Sequence, residues 1–258
     1  MRLKERDHRG VTQILKLTVF IAVLGVALLT GGCAHRRTAS TPELPNSGNV
    51  AGDQALARYF DVSKRNVARG VTMAARFAAS LPRMGKQAAL EARKTVMPDG
   101  QVQYDVLARD GDKTVQKDVI ARYMSTEMDK AGGEGLDEIA ITPENYRFKF
   151  RGQMTSDGRE VLVFELNPRK KRVGLFKGEL WLDAATGLPV REEGKLVKSP
   201  SVFLKDVQFA REYEIRDGKS VLKEMKTVTN TRFWGPAELE VKFTDLSWEL
   251  PPLTGGLH

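Results

Sequence analysis

A period of two governs nearly everything after Pro143 and limits what this chain can fold into. In Tyr146-Arg147-Phe148-Lys149-Phe150-Arg151, rings and cations alternate strictly, which puts the rings on one face of a strand and the charges on the other. Val207, Phe209, Tyr213 and Ile215 share one parity against Gln208, Glu212, Glu214 and Arg216. Leu239, Val241 and Phe243 alternate with Glu238, Glu240 and Lys242. Turn pairs at Asp157-Gly158, Thr186-Gly187, Asp217-Gly218 and Gly235-Pro236 punctuate these runs, and such short connections favour antiparallel neighbours.

Upstream, three strand-like runs between Val67 and Arg109 are broken near Pro82–Gly85 and at Asp99-Gly100, and end at Asp110-Gly111. Two stretches have helical spacing instead. Asp53 can cap a helix to about Asn66 that carries Leu56, Tyr59 and Phe60. A second runs from Asp112 to Lys130, with Val119, Ile120, Tyr123 and Met124 on its apolar side and Val115 and Met128 extending it. Gly132-Gly133-Glu134-Gly135 ends it, and a loop leads to Pro143. The expectation is a mainly β (α+β) domain of about ten antiparallel strands. A sheet that long must curl or split, and the helix after the third strand is placed to cover the concave side.

The N-terminus belongs to export. Arg2, Lys4, Arg6, Arg9 and Lys16 precede an uncharged, mostly apolar run from Leu17 to Leu29, then Thr30-Gly31-Gly32-Cys33. Basic, apolar and small-residue regions in that order describe a secretory signal peptide, and the run falls short of the roughly 20 residues that span a bilayer. Cys33 is the only cysteine in the chain, directly after two glycines at the expected cut. The stretch resembles the bacterial lipobox, with Thr30 where leucine is usual and Leu29 one position earlier. That resemblance implies cleavage before Cys33, lipidation of its thiol and a membrane anchor. Ala34 follows the cysteine; in lipoproteins sorted in the enterobacterial manner, which this stretch resembles, a residue other than aspartate there implies the outer membrane, facing the periplasm.

The resulting organisation is a signal peptide over 1–32, the lipidated Cys33 with a Ser-, Thr-, Pro- and Gly-rich tether over 33–52, a domain over 53–250 and a tail over 251–258. The chain holds 41 Lys and Arg against 33 Asp and Glu, of which five cations and two anions lie in 1–32. The remaining 36 against 31 is mildly basic and well mixed, unlike a nucleic-acid-binding profile with one dense basic face. The three histidines are His8, His35 and His258. None lies within the domain, so a Ser-His nucleophilic site or a His-ligated metal site there is excluded. No cofactor, metal or catalytic residue is expected.

Residues 178–191, Gly-Glu-Leu-Trp-Leu-Asp-Ala-Ala-Thr-Gly-Leu-Pro-Val-Arg, resemble a hairpin of the lipoprotein-localisation superfamily, the LolA/LolB-like carriers. The shared features are an apolar strand, Trp181-x-Asp183, the Thr186-Gly187 turn, and a return strand with Pro189 and Arg191. The resemblance implies a half-open antiparallel barrel, lidded by helices, whose apolar concave face binds acyl chains of a lipid or lipoprotein.

Candidate binding residues follow from the pattern. Tyr146, Phe148 and Phe150, with Met124 from the covering helix, are expected to line a lipid cavity. Arg169, Lys170, Lys171 and Arg172, followed by Leu175 and Phe176, are read either as a membrane contact or as a solvated loop leading into a buried strand. Trp234, beside Phe233, is an interfacial anchor or a plug at the barrel rim. Glu192, Glu193, Glu127 and Asp129 are read as surface charges, because neighbours in a strand diverge, as do residues two apart on a helix. Two functions remain open. One is binding and handing over lipid or acylated lipoprotein. The other is an envelope sensor or assembly scaffold of the same fold, with an envelope protein partner and a cavity plugged by side chains.

Overall fold

The computed structural model describes residues 47–65, 70–130 and 136–248. The signal segment, Cys33 and the 251–258 tail lie outside them. Ten strands form one antiparallel sheet: β1 (Val71–Leu81), β2 (Lys86–Val96), β3 (Val102–Gly111), β4 (Tyr146–Ser156), β5 (Arg159–Pro168), β6 (Phe176–Asp183), β7 (Pro189–Leu196), β8 (Leu204–Arg216), β9 (Lys219–Thr231) and β10 (Gly235–Ser247). Their spatial order is β3-β2-β1-β10-β9-β8-β7-β6-β5-β4. The sheet curves without closing, so it is the expected half-open barrel.

This order explains the lid. Strands β3 and β4 are consecutive in sequence but occupy opposite edges, so the chain between them must cross the sheet. It does so as α2 (Lys113–Val115), a π turn (Gln116–Ala121) and α3 (Arg122–Lys130). Asp112 starts the crossing, its carboxylate accepting from the backbone N–H of Thr114 (2.8 Å) and Val115 (3.1 Å). The π turn widens the repeat, so Val115, Ile120 and Met124 all reach the core. Spacings of five and four replace the helical periodicity, and Met128 is exposed.

The first helix, α1 (Val50–Arg65), covers the other half of the sheet. Asn49 Oδ1 accepts from Gly52 N–H (3.0 Å), and Asp53 reaches back to the Ser47 N–H (2.7 Å). Asn49 is thus the cap, and Asp53 lies one turn inside the helix. Leu56 is fully buried, while Tyr59 and Phe60 pack beside it.

The core is two clusters. One joins β1, β2, β9 and β10 to the crossing helices through Phe77, Leu90, Val241 and Ile120. The other joins β4, β5 and β6 to α1 through Tyr146, Phe164, Leu180 and Leu56. Register shifts near Thr72, Glu91, Phe150, Trp181, Lys205 and Glu212 are bulge-like irregularities of the kind that bend and twist strands. They let one sheet wrap both clusters.

Candidate functional site

The concave floor can be followed along one row of directly paired residues. From edge to edge it reads Arg109, Leu90, Phe77, Val241, Met225, Arg211, Glu192, Leu180, Phe164 and Phe150. From Leu90 to Met225 on one side and from Leu180 to Phe150 on the other, the row is apolar. At the middle, between the two clusters, stands an ion pair.

Arg211 Nη1 lies 3.2 Å from Glu192 Oε2. The Glu192 side chain is 9% exposed and that of Arg211 39%, so the carboxylate is sunk into the floor while the guanidinium keeps contact with water. The guanidinium also sits 4.7 Å from the centre of the Phe209 ring. Tyr213 stands beside the same carboxylate. Burial pushes the Tyr213 phenol well above its ordinary value, and the Glu192 charge pushes the same way. Burial and Glu192 act likewise on Tyr59 from α1. Both phenols therefore remain protonated donors. Tyr59, Tyr213 and Tyr123 are half-buried, giving the floor a polar, aromatic seam.

A second polar group ties the crossing helix to the sheet. The Glu127 carboxylate on α3 accepts from Lys94 Nζ of β2 and from the Tyr104 hydroxyl of β3. Lys94 is buried, with its ammonium 5.0 Å from the Phe243 ring centre. Glu127 and Glu192 are therefore not plain surface charges. For Glu192 the signal was present in Val190-Arg191-Glu192-Glu193: an interior strand charged on both parities must turn one charge inward. Glu193 does face the other way, pairing with Arg191 at 2.6 Å.

The 178–191 hairpin is explained by its contacts. Asp183 Oδ1 accepts from the backbone N–H (2.8 Å) and hydroxyl (2.7 Å) of Thr186, which closes the turn. Gly187 has φ +74°, and a Cβ there would stand 2.7 Å from Arg58 Cβ and 3.0 Å from the Tyr59 nitrogen. Glycine is needed both for the turn and for the seating of α1. On the convex face Arg191 packs 5.4 Å from the Trp181 ring and binds Glu212 at 2.8 Å.

The expected cavity residues are placed as follows. Tyr146 and Phe148 are buried and Phe150 is half-buried, all facing α1, whereas Met124 belongs to the other cluster. They pack as core in two separate places and line no common cavity. In the 169–176 connection, Leu175 and Phe176 are buried in the second cluster, Phe176 against Phe209 at 4.9 Å between ring centres. This corrects the membrane-contact reading for these two, because a side chain buried in the second cluster cannot enter a bilayer. Arg169 is held by the carbonyls of Pro143 (2.7 Å) and Tyr146 (3.2 Å), and Arg172 pairs with Glu138 at 2.6 Å. Lys170 and Lys171 are exposed. Trp234 packs on the first cluster as a plug, while Phe233 projects outward.

No family model and no curated protein matches the chain. Among solved structures, it is similar to a putative outer-membrane lipoprotein-sorting protein domain from Vibrio parahaemolyticus, with 16% identity and a TM-score of 0.42 over 80% of this chain and 94% of that one. A DUF1329 family protein from Desulfovibrio piger matches with 12% identity and a TM-score of 0.39 over 76% and 92%. A LolA superfamily protein from Nitrosomonas europaea matches with 11% identity and a TM-score of 0.35 over 77% and 94%. The likeness is one of fold alone.

Proposed function

We propose that the protein is a non-catalytic envelope lipoprotein, anchored through Cys33, that holds a polar segment of a partner protein along the Glu192–Arg211 seam. It works as a scaffold or sensor, with its apolar interior filled by its own side chains. The make-up of the floor carries this reading: the centre of the concave row is an ion pair flanked by half-buried tyrosines. An acyl chain laid there would strip water from charges and return no hydrogen bonds. A peptide supplies donors and acceptors, and tyrosines suit such mixed surfaces.

The carrier reading has one observation in its favour. The α3 lid meets the sheet through the Lys94–Glu127–Tyr104 group, whose polar contacts water can replace if the lid lifts, which would uncover the first apolar cluster. One experiment separates the two readings. A photo-reactive residue is placed at Tyr213 in the full-length protein in membranes, and native mass spectrometry is run on the purified protein. Cross-links to one defined protein segment, lost in Arg211→Met, support the scaffold. Stoichiometric copurified lipid without such cross-links overturns it in favour of the carrier.

A further inference from the structure

One end of the sheet gathers the ends of β1, β3, β5, β7 and β9 and the starts of the even-numbered strands. We propose that this rim docks on an anionic lipid surface, with Val202, Phe203 and Phe233 entering the interface. The proposal does not rest on the seam reading.

Val202 is 73% exposed, Phe203 46% and Phe233 69%. The two rings lie 5.9 Å apart on neighbouring loops, and Arg232 N–H joins those loops by donating to the Phe203 carbonyl (2.9 Å). The loops are built to hold this shape. The Ser199 hydroxyl bonds the carbonyls of Ser201 (2.8 Å) and Leu204 (2.6 Å), and Trp234 N–H donates to the Thr231 hydroxyl (2.9 Å). Trp234 turns into the core from the same turn that sends Phe233 outward. A pinned pair of apolar tips projecting from a sheet end suits insertion between headgroups, where rings reach the acyl boundary.

The surrounding charge selects the occupant. Exposed Arg83, Lys170, Lys171, Lys198 and Arg232 have no ion pair among the described residues. Lys170 and Lys171 line a shallow groove of about 590 Å³ together with Arg169, Lys195, Pro168 and Leu196. Cations above apolar stems fit a phosphate headgroup and its glycerol end. At the opposite end, the tight turns carry Asp99, Asp157 and Asp217, and Arg159 is paired with Asp183 and Arg216 with Glu214. An anionic surface therefore attracts one end of the molecule and not the other.

The test uses the full-length protein reconstituted in vesicles, either all phosphatidylcholine or with phosphatidylglycerol added. An environment-sensitive fluorophore is attached at Phe233→Cys or, as a control at the far end, at Glu160→Cys. Both sites are exposed, so folding is little affected. Docking predicts that brominated lipid quenches the 233 probe at least about twofold more than the 160 probe in anionic vesicles at low salt. The difference should shrink in phosphatidylcholine, as salt rises, and when Lys170, Lys171 and Arg232 are changed together to Ser. Equal quenching at 233 and 160 in anionic vesicles would overturn the proposal. So would a photo-reactive group at 233 that captures protein and no lipid in whole envelopes, which would make the rim a protein contact.

Discussion

Replacing Arg211 by Met strands the Glu192 carboxylate on the concave floor between Leu180 and the new apolar side chain. Breaking a buried pair from one side costs about 3–5 kcal/mol, because a desolvated charge loses its partner. The Arg211 side chain is 39% exposed, so water already screens part of the attraction, and about 2 kcal/mol is the expected loss. Adding Glu192→Leu removes the stranded charge and makes the row apolar from Leu90 to Phe150. The double variant should return to within about 1 kcal/mol of the parent, as hydrophobic replacements of buried pairs often do. Urea unfolding followed by circular dichroism measures all three proteins, and a constant denaturant slope ensures that the folded and unfolded states are comparable. If Arg211→Met unfolds at the parent's midpoint, the pair is not electrostatically significant. If the double variant is weaker than the single one, the seam is held by packing and the account of the floor is wrong. A stable double variant is also the cleanest protein in which to lose partner cross-linking at Tyr213.

Gly187→Ala adds a Cβ 2.7 Å from Arg58 Cβ at φ +74°, and should cost more than about 2 kcal/mol and free α1 for limited proteolysis; unchanged protection would show that α1 is not seated there. The Val115 N–H, with Lys86 and the Thr114 N–H, holds the Asp112 carboxyl below its ordinary value. A depressed carboxyl contributes stability above its unfolded pKa of about 3.9 and loses it as pH falls through the folded value, so Asp112→Asn should narrow the stability gap to the parent only below about pH 4. Phe148→Ala removes a ring packed 5.5 Å from Phe60 and should cost about 3–5 kcal/mol; a mild effect in urea unfolding would mean that the position lines open space. Cys33→Ser should abolish incorporation of labelled palmitate, and continued labelling would remove the lipid anchor from the account.

The strands were legible because alternation is a local code. Each of Tyr146, Phe148, Val241 and Phe243 declares its face by parity alone, and the Asp-Gly and Thr-Gly pairs mark where the chain reverses. The apolar residues of the crossing helix were legible too, but not their spacing, since a π turn leaves no mark in the order of residue types. That a helix covers the concave side was legible, but not what fills the space beneath it. Whether Phe148 lines a cavity or fills a core depends on where α1 sits, and that is set by Gly187, 39 positions after it in the chain. Leu175 and Phe176 follow four cations and left two readings open, a membrane contact or the start of a buried strand; the assembled sheet decided for the second by burying both in the second cluster. Tertiary structure likewise turned Glu192 and Glu127 from surface charges into members of buried polar groups, because their partners Arg211 and Lys94 come from other strands. Parity fixes which way a side chain points; only the assembled sheet and its lids decide whether anything is there to meet it.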